Sequence, residues 1–256
     1  MQILSKKECK EILLANGLAM PSYMLGDSVK TAKGLSKGYL TGILYLKPDL
    51  TICPSSKIAN CLNDCLVNSG FSQIHKSVNI ARENRTKIYK QFPNVFYSLI
   101  HHDITRLKAK AAKLNLNFCV RLNGTSDINH LHFISQYSEI QFYDYTKRLK
   151  IVESFETYKR QGLLDNYHLT FSYSRASEVY ERHSLLASDM GYNLAVVFKG
   201  QTLPKTWLGK TVINGDETDL RFLDTNNSIV GLTVKGHSKN LDNTFFVDPN
   251  IIAMRV

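Results

Sequence analysis

Short apolar segments that alternate with helical patterns are the feature of this sequence that most constrains its fold. Four of them are rich in β-branched, aromatic and aliphatic residues, and each is followed at once by polar residues; they span 117–122, 140–143, 167–171 and 193–198. An earlier segment of the same kind spans 38–46. Strands that alternate with helices are typical of a parallel sheet. We therefore predict an α/β fold that is TIM-barrel-like, in the form of a partial β/α barrel.

The two ends of the chain have different patterns. Residues 2–16 alternate as an amphipathic helix does, and the glycines and small polar residues that follow predict a loop, so we assign 1–37 to an N-terminal helix and loop. After Pro204 short apolar segments and turn sequences alternate, which predicts a β-rich closing segment over 204–256. No repeat or low-complexity stretch divides the chain, and we predict one domain over 1–256.

Three of the five cysteines, Cys53, Cys61 and Cys65, come soon after the first predicted strand. Cys61 and Cys65 are four residues apart, so on a helix they would share one face, with Cys53 in the loop before it. Three thiolates at that place would suit an iron–sulfur cluster or another soft metal. Zinc is the alternative, with His75 as the nearest further ligand. The third alternative is that the cysteines are small buried apolar residues.

Polar residues that follow the predicted strands are the candidates for catalysis. A charge inside an apolar strand is costly without a partner, so we predict that Arg121 faces a carboxylate, a phosphate or a substrate. Asp144 and Lys147, which flank Tyr145, would supply an acid–base pair beside a stacking platform. The full set of candidates is Arg121, Asn123, Asp127, Asp144, Lys147 and Ser172.

Each of these interpretations has a structural alternative. The residues from Asn123 to Asp127 would also suit a turn held by its own side chains. Lys147 would also suit a surface ion pair. A separate acidic cluster, Asp216 with Glu217 and Asp219, would bind Mg²⁺ or only decorate a turn, and Arg221 would neutralise it.

The formal net charge of +10 is concentrated in the first part of the chain. Residues 1–150 carry 21 basic and 10 acidic side chains, whereas 151–256 carry 11 and 12. Such asymmetry favours a polyanionic partner, either nucleic acid or a phosphorylated substrate, over which basic helices at 72–115 would lie. The alternative is that these side chains only solvate helix faces. The candidates for nucleic-acid contact are Lys76, Arg82, Arg85, Lys87, Arg106 and Lys108.

Composition and motifs exclude several classes of protein. No apolar run approaches the ~18 residues of a membrane span, and the N-terminus is too charged for a secretory signal. The odd number of cysteines argues against a disulfide framework, so we expect a cytoplasmic protein with reduced thiols. The sequence has no P-loop, dinucleotide fingerprint or ordered Ser–His–Asp set, which gives no support to the corresponding enzyme classes.

A set of strings in the sequence carries a family resemblance. They are KTAKG, GYLTGILYL, CPSSKIANCLNDC, VRLNGTSD, IQFYDYTK, NYHLTFSYS, LAVVFKG and NGDETDLRFLD. In this order they resemble the "gene product eighty-eight" family of phages and plasmids, from about Lys30 to the C-terminus. That family has no established function. The resemblance therefore implies a phage or plasmid protein that works in the host cytoplasm, and no mechanism.

A weaker analogy is to radical S-adenosylmethionine enzymes, whose partial barrel carries three cysteines after its first strand. It implies Cys53, Cys61 and Cys65 as ligands of an iron–sulfur cluster and S-adenosylmethionine as a cofactor. The spacing departs from the C-x-x-x-C-x-x-C of that superfamily, because seven and three residues separate the cysteines here. The analogy rests on the fold alone.

Two functions of different classes follow as expectations. The first is a metal- or iron–sulfur-dependent enzyme, radical-SAM-like in one version, that acts on a phosphorylated or nucleic-acid substrate. The second is a non-enzymatic accessory protein that binds nucleic acid, with inhibition of a host protein as a further option. The sequence leaves open whether the protein is an enzyme, and it does not indicate an oligomeric state.

Overall fold

The computed structural model describes residues 2–26, 29–62, 76–234 and 244–250. Its nine strands form one sheet in the order β1-β2-β3-β4-β5-β6-β9-β8-β7. The strands are β1 (Leu25–Gly26), β2 (Tyr39–Leu44), β3 (Asn117–Arg121), β4 (Gln141–Thr146), β5 (Tyr167–Ser172), β6 (Leu194–Phe198), β7 (Thr206–Trp207), β8 (Lys210–Asn214) and β9 (Ile229–Thr233).

The α-helices connect most of these strands, and two 3₁₀ turns add to them. The helices are α1 (Lys6–Ala15), α2 (Val29–Leu35), α3 (Lys76–Gln91), α4 (Pro93–Lys113), α5 (Leu131–Ile134), α6 (Leu149–Arg160) and α7 (Glu178–Asp189). The 3₁₀ turns span Pro54–Ser56 and Arg221–Leu223. Among the described residues no helix is both long enough and apolar enough to span a membrane.

All the central strands of the sheet are parallel. Strands β2 to β6 are neighbours in chain order, β9 follows β6, and β8 follows β9. The two-residue strands β1 and β7 pair antiparallel at the two ends. The prediction of an α/β fold with a parallel sheet is confirmed. Within the described residues the sheet is open, and these residues do not form a closed TIM barrel.

One face of the sheet packs against the helices and holds the main apolar core. Alternate residues of the strands, such as Val120, Phe142 and Phe171, join Phe96 of α4 and Phe155 of α6 in one buried cluster. Because strand side chains alternate between faces, the residues in between point to the opposite face. That opposite face carries more polar side chains, and it positions the site described below.

The helix predictions hold better than the loop predictions. The basic helices predicted at 72–115 are α3 and α4, and Pro93 begins α4, because proline is tolerated in a first helical turn. The first helix begins at Lys6, where Ser5 and Glu8 form a reciprocal capping box. The loop predicted before β2 is wrong in part, since it contains α2. The predicted β-rich closing segment also contains a 3₁₀ turn, Arg221–Leu223.

Candidate functional site

A cavity of about 370 Å³ lies at the carboxyl ends of the parallel strands. Its wall takes one or two side chains from each of five neighbouring strands: Arg121 from β3, Tyr145 from β4, Ser172 from β5, Ala195 and Val197 from β6, and Leu232 from β9. Loops that follow the strands complete the rim. This is the edge at which parallel α/β sheets bind their ligands. Five of the six candidate catalytic residues therefore meet at one place, and Asp144 does not.

The segment from Cys53 to Cys61, which we call the cysteine loop, forms one side of the cavity. Both thiols line the cavity, and each lies 3.8 Å from a backbone oxygen, Cys53 Sγ from Thr125 and Cys61 Sγ from Ser56. The helix predicted to begin near Cys61 does not include that residue. Cys65 and His75 lie outside the described residues. Two of the three predicted thiolate ligands thus lie on one wall.

The cysteine loop is held at its sides by hydrogen bonds to distant parts of the chain. The buried hydroxyl of Ser174, just after β5, donates to the carbonyl of Ala59 at 2.8 Å. The side chain of Asn60 donates to Thr244 Oγ1 at 2.9 Å. Neither contact is visible in the sequence, because the partners lie more than a hundred residues apart.

Metal-ligating side chains do not form a complete site within the described ranges. No group of three or more His, Cys, Asp or Glu residues there could hold a metal ion. The cysteines that the structure describes are Cys9, Cys53, Cys61 and Cys119. Only two of them lie at the cavity, since burial places Cys9 in the main core and Cys119 on the opposite face of the sheet.

Arg121 faces a carboxylate, as predicted. Its Nη1 lies 2.7 Å from Asp219 Oδ2, with both side chains almost fully buried, and its guanidinium stands 4.6 Å from the ring centre of Tyr145. Burial alone would lower the pKa of this guanidinium, but the Asp219 carboxylate outweighs burial and raises the pKa above its usual range. Asp219 comes from the loop before the second 3₁₀ turn, so this loop is tied to the sheet.

The loop after β3 is held by its own side chains, which favours the turn interpretation for part of it. Asn123 Oδ1 accepts from the Ser126 hydroxyl at 2.8 Å and from the backbone of Ile128 at 2.9 Å. The Asp127 carboxylate accepts from Thr146 Oγ1 at 2.7 Å. These bonds fix the loop, and three of its residues, Asn123, Ser126 and Asp127, also line the cavity.

Asp127, and not Asp144, lies beside Lys147. The backbone N–H of Lys147 donates to Asp127 Oδ2 at 2.8 Å. Burial raises the pKa of the Asp127 carboxyl group, an effect that Lys147 opposes. Asp144 has no exposed surface, accepts from the backbone N–H of Asn123 at 2.6 Å, and is not among the residues that line the cavity. Burial raises its pKa to about 7. The predicted Asp144–Lys147 pair is therefore not formed, because successive residues of β4 point to opposite faces.

Within the described residues the acidic cluster is not part of a group that could hold a metal ion. Asp219 pairs with Arg121, whereas Asp216 Oδ2 accepts from the Thr233 hydroxyl at 2.8 Å and from its backbone at 3.1 Å. Arg221 is fully buried and pairs with Asp224 at 3.1 Å, so it does not neutralise the cluster directly. Asp216, Asp219 and Phe246 line the cavity. The sequence marked the two aspartates as an acidic cluster but did not place them at this cavity, and it did not mark Phe246, because all three lie far along the chain from β3 to β5.

Most of the side chains predicted to contact nucleic acid have partners within the chain. The guanidinium of Arg82 lies over the Tyr45 ring at 5.0 Å, and Arg85 donates to the carbonyl of Tyr23 at 2.9 Å. Lys76 is exposed. The remaining contacts are ion pairs of 3.3, 3.2 and 3.1 Å: Lys87 with Glu83, Arg106 with Asp103, and Lys108 with Glu139. These contacts give no support to nucleic-acid binding, which stays a prediction.

Comparison with protein-family models gives a match over most of the chain. The family model described as Gene product 88 matches residues 24–249. No curated protein and no solved structure matches the chain. The match confirms the resemblance read from the sequence motifs, and it lends no support to the analogy with radical S-adenosylmethionine enzymes.

Proposed function

The chain belongs to the Gene product 88 family, and from that premise we propose that it is a metal- or iron–sulfur-dependent enzyme. Its active site would be the cavity at the carboxyl edge of the sheet, and its substrate would carry phosphate groups or be a nucleic acid. Cys53, Cys61 and Cys65 would hold the metal centre. Arg121, Lys147 and Ser172 would contact the substrate.

One observation carries this proposal. The two described cysteines of the predicted set and five of the six predicted catalytic residues line a single cavity, although they come from positions spread between Cys53 and Ser172. Clefts that combine an apolar wall with a few convergent polar groups are the usual place for an active site. The sixth residue, Asp144, has a structural role beneath the loop after β3.

The donor set suits a soft metal. Thiolates select iron–sulfur clusters and zinc over hard cations such as Mg²⁺. The hydrogen bonds from Ser174 and Asn60 would fix the cysteine loop, and a fixed loop lowers the cost of bringing thiolates together. A bound cluster would supply electron transfer or a Lewis-acidic iron at this wall of the cavity. Reduced thiols are a condition of the proposal, and they fit the cytoplasmic location expected from the sequence.

The finer fold prediction, a partial β/α barrel, belongs to the same proposal. Five parallel strands, β2 to β6, are adjacent in chain order, with β9 next to them. Sequential order of parallel strands is the topology from which β/α barrels are built. The loop that carries Asp219 would then close the mouth of this incomplete barrel.

Anaerobic purification followed by an absorbance spectrum and by iron, sulfide and zinc analysis tests the proposal. We expect metal in the native protein, loss of most of it in Cys61→Ser, and full retention in the matched control Cys9→Ser, whose thiol is buried in the core. Circular dichroism checks that each variant is folded. Protein without metal after anaerobic reconstitution, or a Cys61→Ser variant with full metal content, would overturn the proposal.

A further inference from the structure

The wall of the cavity changes from polar to apolar across the sheet. Arg121, Tyr145 and Ser172 lie on the neighbouring strands β3, β4 and β5, and Val197 and Leu232 lie on β6 and β9. Four strand spacings of about 4.8 Å separate β3 from β9 along the sheet. A ligand that spans the wall therefore meets two different environments.

The polar end has a hydrogen-bond donor that no described residue satisfies. Arg121 lines the cavity with a side chain only 7% exposed, and its Nε has no partner among the residues that the structure describes. A buried donor without an acceptor is costly, and an oxygen of a bound ligand would satisfy it.

The carboxylates at this end do not supply that oxygen. The Asp219 carboxylate accepts a hydrogen bond from Nη1 of Arg121. The Asp127 carboxylate accepts from the hydroxyl of Thr146 and from the backbone N–H of Lys147. A ligand oxygen that accepts from Nε of Arg121 would bind a fork-shaped, permanently charged guanidinium. Planar or tetrahedral anionic groups with several oxygens, that is carboxylates and phosphates, match this fork best.

The other end of the cavity has an apolar surface that includes an aromatic ring. Ala195, Val197 and Leu232 form the sheet side of it, and Phe246, in the described segment 244–250, also lines it. Phe246 is held there because the next residue, Val247, pairs with Phe198 of β6. A flat ring between a β-sheet and an aromatic side chain gains both apolar burial and ring contacts.

We propose that the ligand of this cavity is a small molecule with an anionic carboxylate or phosphate at one end and a flat apolar ring at the other. The anionic group binds Arg121 and Ser172, and the ring lies between Leu232 and Phe246. This inference rests on the proposed function in that it names the substrate class of the same site.

Direct binding measurements with simple probes test the inference without any need for metal. The probes are 1-naphthyl phosphate, 1-naphthoate, 1-naphthol and inorganic phosphate. Titration calorimetry measures the binding of each probe to the full chain. We expect one of the two naphthyl anions to bind at least tenfold more tightly than both naphthol and inorganic phosphate. The anion that binds identifies the group, carboxylate or phosphate.

Variants then assign the two ends. Arg121→Lys keeps the positive charge but loses the fork-shaped guanidinium. We expect it to lower the affinity for the naphthyl anion that binds at least fivefold and to leave the affinity for naphthol unchanged. Arg106→Lys is the matched control, because Arg106 also pairs with an aspartate but lies outside the cavity. Ser172→Ala repeats the test if Arg121→Lys does not fold, and Leu232→Ala should weaken every probe that carries the ring.

The outcomes separate this inference from the proposed function. Absence of binding by both naphthyl anions, or equal losses for naphthol and its phosphate in the Arg121→Lys or Ser172→Ala protein, would overturn the inference whatever the metal content. Selective binding by a protein without metal would support the ligand class and would leave the metal-dependent enzyme refuted.

Discussion

The ion pair between Arg121 and Asp219 is predicted to be the most sensitive polar contact in the protein. Replacement of Asp219 by Ala removes the carboxylate 2.7 Å from Nη1 and leaves a guanidinium that is only 7% exposed without its charge partner. Loss of one member of a buried pair costs about 3–5 kcal/mol, because the remaining charge stays desolvated. For a chain of this size that corresponds to a fall in melting temperature of about 6–20 °C.

Urea unfolding followed by circular dichroism measures this cost, and two further proteins make the result specific. Glu139→Ala breaks the exposed ion pair with Lys108, in which both side chains are more than half exposed, and should cost less than about 1 kcal/mol. The double variant Arg121→Met with Asp219→Leu should recover most of the lost stability, because it removes both charges. A loss from Asp219→Ala no larger than that from Glu139→Ala would refute the reasoning.

Three other predictions concern residues around the cavity. Burial raises the pKa of Asp144 from 3.8 to about 7, so between these pH values the native state holds a proton that the unfolded chain releases, and the free energy of unfolding should decrease as pH rises. Urea titrations at several pH values should show that Asp144→Asn flattens this dependence. An unchanged pH dependence in the variant would contradict the prediction. A Cβ on Gly124 would lie 2.5 Å from a backbone oxygen of β2, so Gly124→Ala should lower the free energy of unfolding by about 1–3 kcal/mol; a neutral result would show that the loop can move. Ser174→Ala removes the hydrogen bond to the Ala59 carbonyl, so the thiols of the cysteine loop should react faster with a thiol reagent. The control Ser154→Ala, which removes a hydrogen bond within α6, should leave the rate of thiol modification unchanged.

The sequence was sufficient for the elements whose pattern is local. The β-branched and aromatic content of β3, β5 and β6 marked those strands to within a residue or two. Local signals also mark the starts of α4 and α7, which are Pro93 in the first turn of α4 and Ser177 as the N-cap of α7. These signals depend only on backbone preferences and on neighbours within one turn or one strand. The helix α2 was missed because its glycine and small polar residues are also typical of loops.

The site was predicted in part for a related reason. The carboxyl ends of parallel strands meet at one edge, so polar residues after the strands, among them Arg121 and Ser172, could be placed together from topology alone. The face of the sheet on which Asp144 lies could not be predicted, because a shift of one residue along a strand moves a side chain to the other face. The partner of Arg121 could not be predicted either, since Asp219 lies 98 residues further along the chain.

What the sequence by itself determined was the alternation of strands and helices, the family, and a set of polar and thiol side chains after the strands. The tertiary structure alone decided that the sheet stays open, that Asp219 and Phe246 enter the cavity, and that Asp127 takes the place predicted for Asp144 beside Lys147. The physical reason is one of range. Backbone preference acts over a few residues, whereas burial of charges and apolar side chains joins segments a hundred residues apart and selects the arrangement that leaves the fewest of them unsatisfied.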